Sequence, residues 1–557
     1  MTQPQPAVAD DETTPSSRTV LFLFIGLMIT MLLAALNQTV LSTALPTIVG
    51  ELDGVDQMTW VITGYILAST VVMPIYGRIS DLLGRKPVLL AAIVLFIAGS
   101  VVGALAPDIE LLIAARVLQG LGGGGLMILS QAAIADVVPA RERGRYMGAM
   151  GAVFAVASVA GPLLGGWLTE GPGWRWAFWM NIPLGLLAIA ACMVFLRLPK
   201  KDHAQLPKLD YLGMTLVAAA TTALVLVCTW GGGTYDWASP QIIGLIVATI
   251  VLAAAFCWAE TKAVNPVIPM ALFKDRNFTL TTIAALMIGV AMFGALGYMP
   301  TYIQMVTGAS ATIAGLLMIP MMGGLLVASV ASGQAVSRTG RYKAFPIVGS
   351  VIIGIGLGLL STLHVESPTW LMCTYLGILG IGIGLALQLL TLIVQNSFPG
   401  RIVGTATASS NFFRQVGATL GSAVVGSIFA SRLITLLSEK LAGSQVAAGG
   451  GGDEFRKHLT PAGVAALPDA MRDPIIHAYN EALLPIFLFL VPLAVIALIA
   501  LCFVDEKPLS TSVQGEIPAE SLAEGQLLEM VDDNDGVSAF RGDRARKDPD
   551  EPEPSRV

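Results

Sequence analysis

The chain has 557 residues, of which 55% are hydrophobic and only 13% are charged, and its mean hydropathy is +0.74. Because soluble domains carry about 25% charged residues, this composition excludes a soluble protein and predicts one that crosses a membrane many times. The net charge of −6 comes from an acidic C-terminal tail, so we expect no nucleic-acid partner.

The chain begins with a polar, acidic segment, 1–18, which we expect to be disordered. It lacks the basic stretch of a secretory signal, so the first hydrophobic segment is predicted to stay in the protein as an anchor. Fourteen runs of about 20 apolar residues follow, each long enough for a helix that crosses a membrane. Spans 1 to 14 are predicted at 20–45, 58–76, 87–106, 109–134, 146–168, 175–196, 210–230, 240–259, 278–302, 312–333, 344–363, 369–394, 403–430 and 482–504.

The distribution of basic residues predicts the orientation. An even number of spans places both termini on one side of the membrane. The short loops after the even-numbered spans are rich in Lys and Arg, such as Arg85, Lys86 and Arg141, whereas the short loops of the other face offer only Arg175. Since basic loops stay on the cytoplasmic side, these loops and both termini are predicted to be cytoplasmic.

Span 1 and span 4 carry polar residues at matching depth. Asn37 and Gln38 lie in span 1, and Arg116 and Gln119 lie in span 4. With a rise of about 1.5 Å per residue, Arg116 lies about 10 Å and Asn37 about 13 Å from the outer ends of their spans. A guanidinium inside a membrane is costly and marks a functional site by default.

The loop between spans 2 and 3 recurs between spans 10 and 11. Three pairs of residues share one offset of 256 positions: Gly77 and Gly333, Gly84 and Gly340, and Arg85 and Arg341. The two loops are eight spans apart, which predicts two homologous six-span halves, spans 1–6 and 9–14, with an inserted pair between them. No Walker A loop precedes a helix, so the sequence gives no sign of an ATPase.

This organisation divides the chain into five parts. The predicted parts are a disordered tail (1–18), an N-terminal six-helix bundle (19–200), an inserted helix pair (201–262), a C-terminal six-helix bundle (263–504) with an external loop (431–481), and an acidic disordered tail (505–557).

Five motifs resemble those of the major facilitator superfamily, in particular its fourteen-span drug:proton antiporter branch. They lie at 36–46, 77–86, 116–120, 161–166 and 174–183. The resemblance covers about residues 20–505. It implies an all-α polytopic membrane protein with fourteen transmembrane helices, arranged as two six-helix pseudo-repeat bundles plus an inserted helix pair.

The resemblance implies that the loop after span 2 forms a cytoplasmic gate. Asp81 and Arg85 lie four residues apart, and Asp136 lies at the inner end of span 4. In the family such residues hold the inner side shut while the transporter faces outward; the alternative is a static surface salt bridge that contributes little. The other predicted gate residues are Gly77, Gly84, Lys86 and Arg341. Since Ser337 replaces the acid in the second copy, we expect an asymmetric gate.

Span 5 resembles the antiporter motif through Gly161, Pro162, Gly165 and Gly166, although Ala157 stands where the family pattern has glycine. Proline removes a backbone donor and bends a helix, while small residues let another helix approach closely. The motif is therefore expected to act as a hinge or seal.

The family position that matches Asn37 is commonly an aspartate that carries the proton and interacts with the span-4 arginine. Asparagine cannot titrate, and three alternatives follow. Protons could be coupled through Asp81 or Asp136; the protein could use another driving force and offer Arg116 to an anionic substrate; or Asn37 could be an engineered replacement of an acid. Arg414 in span 13 has the same ambiguity, its alternative role being a structural hydrogen bond to helix carbonyls or to Asn411 and Gln415.

Spans 9 and 10 are rich in methionine and tyrosine. Soft methionine side chains suit a cavity for varied apolar ligands, but ordinary helix packing explains most of them. Tyr298 is the first candidate for a cavity residue.

The resemblance implies a secondary active exporter of amphiphilic drugs or toxic compounds, nominally proton-coupled, and not an enzyme. Two alternatives remain: an exporter or uniporter of an endogenous, anionic or lipid-like metabolite, and a non-transporting sensor or scaffold. We expect no metal and no cofactor other than protons. The expected partners are small amphiphilic substrates and membrane lipids, and the protein is expected to be a monomer in the cytoplasmic membrane.

Overall fold

A computed structural model describes residues 17–54, 57–196, 208–232, 234–440, 463–464 and 467–509. Helices account for almost all of these residues, and the only β-type pairing among them is an isolated bridge between Gly231 and Tyr235. Most of the two predicted disordered tails and the centre of the predicted external loop lie outside the described residues.

The first half contains seven helices. Asp108 starts α4 by accepting a hydrogen bond from the backbone N–H of Leu111, as an N-cap residue does. The helices are α1 (Ser17–Glu51), α2 (Met58–Leu83), α3 (Arg85–Ala104), α4 (Ile109–Val137), α5 (Ala140–Glu170), α6 (Trp176–Trp179) and α7 (Asn181–Phe195).

The inserted pair consists of α8 (Tyr211–Trp230) and α9 (Pro240–Glu260). Asp210 and Ser239 cap their first turns. After a 3₁₀ turn at Met270–Lys274, the described residues of the second half form eight helices: α10 (Arg276–Leu296), α11 (Met299–Thr307), α12 (Ala311–Leu317), α13 (Ile319–Thr339), α14 (Ala344–Leu360), α15 (Thr369–Ser397), α16 (Val403–Lys440) and α17 (Asp469–Cys502).

These helices confirm the all-α membrane fold. In the described ranges, thirteen helical segments are at least 18 residues long and apolar enough to cross a membrane. The fourteenth predicted span is α14, which is 17 residues long. Residues 345–359 of α14 are apolar apart from Ser350, so its length alone separates it from the others.

The helices differ in detail from several predicted spans. Spans 6, 9 and 10 are each broken into two helices, and Pro300 and Pro320 lie in the first turns of α11 and α13, where a missing backbone donor costs nothing. At the predicted external loop, α16 runs on to Lys440 and α17 begins at Asp469. Hydropathy predicted the end of span 13 too early because residues 431–440, which extend α16, include many polar side chains. These residues are nevertheless helical, and Lys440 pairs with Glu481 at 2.6 Å.

The two halves repeat the same pairwise helix packing. In the first half α1 packs on α5 and α7, α4 packs on α2 and α3, and α3 packs on α7. In the second half α10 packs on α16 and α17, α15 packs on α13 and α14, and α14 packs on α17. This correspondence supports the predicted repeat. The inserted helices α8 and α9 pack on each other, and α8 also contacts α2 and α16.

Candidate functional site

Helices α2, α4 and α13 end at the same end of the bundle, which we call the basic end. Here the first gate motif is assembled around Arg85, the first residue of α3, which is only 4% exposed. Its guanidinium forms ion pairs with Asp81 and with Asp136, the latter at 3.0 Å, and donates to Ser80 Oγ at 2.7 Å. The structure therefore brings together the three charged residues that the sequence placed in the gate.

Asp81 joins the first half to the second half. Its carboxylate accepts hydrogen bonds from the backbone N–H groups of Gly404 (3.3 Å) and Thr405 (2.5 Å), and from the Thr405 hydroxyl. These donors lie in the first turn of α16, where unpaired N–H groups and the helix dipole favour a negative charge. These contacts form a buried interface between the halves and not a surface salt bridge, whereas the role of a gate stays a prediction.

Two glycines permit this contact. A Cβ on Gly77 would collide with Ala408 and lie 3.0 Å from the carbonyl oxygen of Gly404, so a side chain would push α2 away from α16. Gly84 has a φ of 97°, which side-chain-bearing residues rarely adopt. Lys86, by contrast, is half-buried and donates to the carbonyl oxygen of Met193, away from the ion pairs.

The second copy of the motif makes a different contact. A Cβ on Gly333 would collide with the backbone of Gly144 in α5. Ser337 accepts from the backbone N–H of Arg145 at 3.1 Å and donates to the carbonyl oxygen of Glu142 at 3.5 Å. The Arg341 side chain is exposed and forms no ion pair with the described residues. The expected asymmetry of the two copies is therefore present in the geometry.

Further buried polar residues make contacts at this interface that the sequence did not predict. Asn411 donates to Gln131 Oε1 at 3.1 Å, and Gln395 donates to the carbonyl oxygen of Gln131 at 3.2 Å. The guanidinium of Arg143 donates to the carbonyl oxygens of Ala135 and Val138 at the end of α4, and to that of Gln395. A signal was present, because polar residues inside apolar spans are rare.

Arg116 lies in a polar cluster within the first half and is 2% exposed. It donates to the carbonyl oxygen of Val61 at 3.2 Å and to Gln119 Oε1 at 2.8 Å, and it stacks on the Tyr65 ring at 4.3 Å. Gln119 Nε2 in turn donates to Asn37 Oδ1 at 3.3 Å. Arg116 and Asn37 are therefore close, as their depths predicted, but they are joined through Gln119.

Asn37 is enclosed by further polar side chains. Asn181 Nδ2 donates to Asn37 Oδ1 at 3.1 Å and to Ser100 Oγ at 3.2 Å, and Gln119 donates to the same Ser100 oxygen at 2.8 Å. Asn37 Nδ2 is buried and has no hydrogen-bond partner among the described residues. Two donors thus converge on one side-chain oxygen of residue 37, an arrangement that also fits a carboxylate.

A cavity of about 50 Å³ lies between the halves, close to this cluster. Its lining combines apolar, aromatic and amide groups: Ala34, Ala35, Gln38, Tyr65, Ile66, Ser69, Met73, Gly123, Gly124, Met127 and Gln415. Gln415 comes from α16, and Arg414 precedes it in the chain.

Arg414 is half-buried, and its side chain forms no hydrogen bond or ion pair with the described residues. Asn411, which the sequence offered as a partner, donates to Thr407 and Gln131 instead.

Tyr298 lies elsewhere, between α10 and α11. Its hydroxyl donates to the carbonyl oxygen of Ser422 at 3.0 Å, and its ring packs against Phe429. Among the neighbouring methionines, Met292, Met299, Met305 and Met321 are buried in the hydrophobic core of the second half. Packing therefore accounts for most of the methionines, as expected, and a cavity role for Tyr298 stays a prediction.

The span-5 motif lies on α5, which continues through Pro162. A Cβ on Gly161 would collide with Thr39, and one on Gly165 would lie 2.7 Å from the carbonyl oxygen of Val40, so both glycines let α1 approach closely. Gly166 has open space around it. The predicted close packing is confirmed for Gly161 and Gly165 but not for Gly166, and a hinge role stays a prediction.

No cluster of three or more potential metal ligands occurs in the part of the chain that the structure describes. At the basic end the carboxylates of Asp81 and Asp136 pair with Arg85, and around Asn37 the polar side chains are amides and a hydroxyl, joined to Arg116 through Gln119. The arrangement can close and open an interface and can hold a polar ligand, and it contains no nucleophile–base pair.

Known proteins share both the sequence pattern and the fold. The profile of the Major Facilitator Superfamily matches residues 27–422. An uncharacterized MFS-type transporter of Mycobacterium tuberculosis is 41% identical over 490 residues, covering 88% of this chain and 70% of that protein. Multidrug resistance protein 3 of Bacillus subtilis is 31% identical over 510 residues, covering 90% and 99% respectively. The human organic anion transporter MFSD10 (TETRAN) has a TM-score of 0.57 at 15% identity, covering 87% of this chain and 100% of that chain.

Proposed function

The chain belongs to the Major Facilitator Superfamily, and from that premise we propose that it exports amphiphilic drugs or other toxic compounds by alternating access, coupled to protons. It is a multi-pass membrane transporter and not an enzyme. The class of substrate, the coupling to protons and the identity of the membrane are what we propose.

The observation that carries the proposal is the seal at the basic end. Hydrogen bonds between the halves cluster there, at Asp81 with α16, at Gln131 with Asn411, and at Ser337 with α5. The ion pairs at the other end stay within one half, as in Arg175 with Glu51. A transporter that is shut at one end by contacts between its halves has one of the two states that alternating access requires.

The lining of the cavity suits an amphiphilic substrate in a more open state, because the present volume of about 50 Å³ is far below the roughly 300–1,000 Å³ of ligand pockets. Met73 and Met127 offer soft apolar surface, Tyr65 offers an aromatic ring, and Gln38 and Gln415 offer hydrogen-bonding groups. The name of the Bacillus relative, Multidrug resistance protein 3, agrees with this class.

Efflux tests the proposal directly. Cells that express the chain should accumulate less of an amphiphilic fluorescent dye such as ethidium, and proteoliposomes should move the dye when a pH gradient is imposed. The control is Arg85→Ala, which removes the centre of the gate. Equal accumulation in all cells, with no flux in proteoliposomes, would contradict export; a bound protein partner without any flux would instead favour a sensor or scaffold.

Position 37 tests the coupling. Asn37→Asp places a titratable carboxyl where Gln119 and Asn181 already donate, so we predict stronger efflux driven by a pH gradient. The matched control is Gln38→Glu, which adds a carboxyl one residue along, in the cavity lining. If parent and Asn37→Asp proteins respond identically to the gradient, position 37 is not the coupling site.

We place the basic end in the cytoplasm, with both termini, because its loops carry most of the basic loop residues. A membrane-impermeant thiol reagent should label Asp236→Cys, in the loop between α8 and α9, in intact cells. It should label Lys274→Cys, at the basic end, only in inverted vesicles. The opposite pattern would reverse the orientation.

A second candidate is export of an anionic metabolite, and Arg414 favours it. This half-buried guanidinium has no hydrogen-bond or ion-pair partner among the described residues and adjoins a cavity residue, Gln415. If the substrate is anionic, Arg414→Gln should reduce transport of an anionic dye and spare a neutral one, and Arg414→Lys should restore it in part. Equal effects on both dyes would assign Arg414 to the structure.

A further inference from the structure

A second group of charged residues, one buried and one half-buried, lies outside the gate and the cavity. Glu260 ends α9 and is only 3% exposed, and Asp210 precedes α8. Both lie at the junction of the inserted pair with α2, near Arg78. Neither the gate nor the polar cluster around Asn37 uses these carboxyl groups.

Each carboxyl group has one satisfied oxygen and one buried oxygen without a partner. Glu260 Oε2 accepts from the backbone N–H of Ile268 at 3.0 Å, and Asp210 Oδ1 accepts from that of Gly213 at 2.8 Å. Glu260 Oε1 and Asp210 Oδ2 are buried and have no hydrogen-bond partner among the described residues.

The two unpartnered oxygens face each other across Gly213. Both lie within 2.5 Å of the point that a Cβ on Gly213 would occupy. They are therefore about 5 Å apart or less, a distance at which two negative charges strongly disfavour each other. A single proton removes this conflict, because a protonated carboxyl becomes a donor to the ionised one.

The surroundings supply one positive charge and much apolar surface. Arg78 of α2 is the basic group that acts on Glu260, and it donates to Asn265 Oδ1 at 2.8 Å. Asn265 in turn donates to the carbonyl oxygen of Lys208. The side chains of Lys208 and Lys262 belong to the adjoining loops, and α16 contributes apolar groups such as Phe412 and Val416. Arg78 therefore places a positive charge close to the carboxyl pair.

We propose that Asp210 and Glu260 share one exchangeable proton and form a proton-binding site of the exporter, outside its central cavity. Its link to transport rests on the proposed function. Arg78 lies on α2 between Gly77 and Asp81, so a change of charge at the carboxyl pair acts on the helix that seals the basic end. Such a site would supply a titratable group that Asn37 does not.

Infrared difference spectroscopy of the purified full-length protein in lipid nanodiscs tests the proton itself. At neutral pH the protein should show the C=O band of a protonated carboxylic acid, and this band should be lost in Glu260→Gln. Glu110→Gln, at an exposed carboxyl at the start of α4, should keep it. Asp210→Asn is the second variant: it removes the neighbouring charge and should weaken the band at neutral pH. An unchanged band in both Glu260→Gln and Asp210→Asn would overturn the site.

Transport in proteoliposomes tests the coupling. Glu260→Gln should lose the response of efflux to an imposed pH gradient and keep dye movement down its own concentration gradient. A full response to the pH gradient in Glu260→Gln would overturn the coupling role. If the parent protein moves no dye at all, the proposed function fails, whereas the infrared result still decides whether the proton is there.

Discussion

The two copies of the gate motif share their glycines and differ in their charges. In the first copy the buried Arg85 pairs with Asp81 and Asp136, and Asp81 reaches the first turn of α16. In the second copy Ser337 exchanges hydrogen bonds with the backbone of α5, and Arg341 is exposed. The repeat therefore conserves the close approach of helices, while only the first copy adds a buried ion-pair network.

This difference predicts unequal sensitivity to mutation. Removing one partner of a buried ion pair costs about 3–5 kcal/mol, because the other charge stays buried. Exposed charges contribute about 0–1 kcal/mol. The first copy should thus determine how stable the closed basic end is, and the second copy should contribute mainly through its packing.

The largest effect is expected for Asp81→Asn. The substitution leaves Arg85 with one carboxylate and weakens the contact with Thr405, so the closed basic end should lose about 3 kcal/mol. Spin labels can be attached at the exposed positions Glu142 and Thr339, one in each half. Double electron–electron resonance should report a longer distance between these labels in Asp81→Asn than in the parent protein. An unchanged distance distribution would show that the charge network does not hold the end shut.

The next effect tests what the two copies share. Gly77→Ala and Gly333→Ala each place a methyl group against the opposite half, and overpacking of this kind costs about 1–3 kcal/mol. Both variants should widen the same label distance by similar amounts. Gly323→Ala, in α13 with open space around it, is the matched control and should leave the distance unchanged. A strong effect in only one copy would mean that the packing is as asymmetric as the charges.

The sequence identified the main residues of the Arg85 network and of the polar cluster around Asn37, but not the residues that they contact. Spacing put Asp81 four residues from Arg85, and helix rise gave Asn37 and Arg116 similar depths, whereas the family resemblance implied that these residues act together. The contacts of Thr405, Asn411 and Gln395 were not predicted because they join distant segments of the chain.

Other misses have specific physical causes. Lys86 belongs to the motif, but its long side chain reaches a carbonyl at the end of α7. Asp210 and Glu260 lie at the edges of spans 7 and 8 in the sequence, yet one side-chain oxygen of each is buried where α8 and α9 pack. Hydropathy marks where a helix enters a membrane, but it does not show which edge residues another helix covers.

A smaller effect is expected for Ser337→Ala. The hydroxyl oxygen accepts one hydrogen bond from the N–H of Arg145, and its loss should cost about 1 kcal/mol. The label distance should shift slightly, and dye efflux should change by less than in Asp81→Asn. An effect as large as that of Asp81→Asn would show that the second copy matters equally and would remove the asymmetry.

The smallest effect is expected for Arg341→Ala. Although Arg341 occupies the position of Arg85 in the repeat, its side chain is exposed and forms no ion pair among the described residues. Exposed substitutions of this kind usually change stability by less than about 0.5 kcal/mol. Efflux and thermal stability should match those of the parent, whereas Arg85→Ala should reduce both. If Arg341→Ala impairs efflux as strongly as Arg85→Ala does, Arg341 must pair with an acid in the state that is open at the basic end, and the asymmetry would belong to the closed state alone.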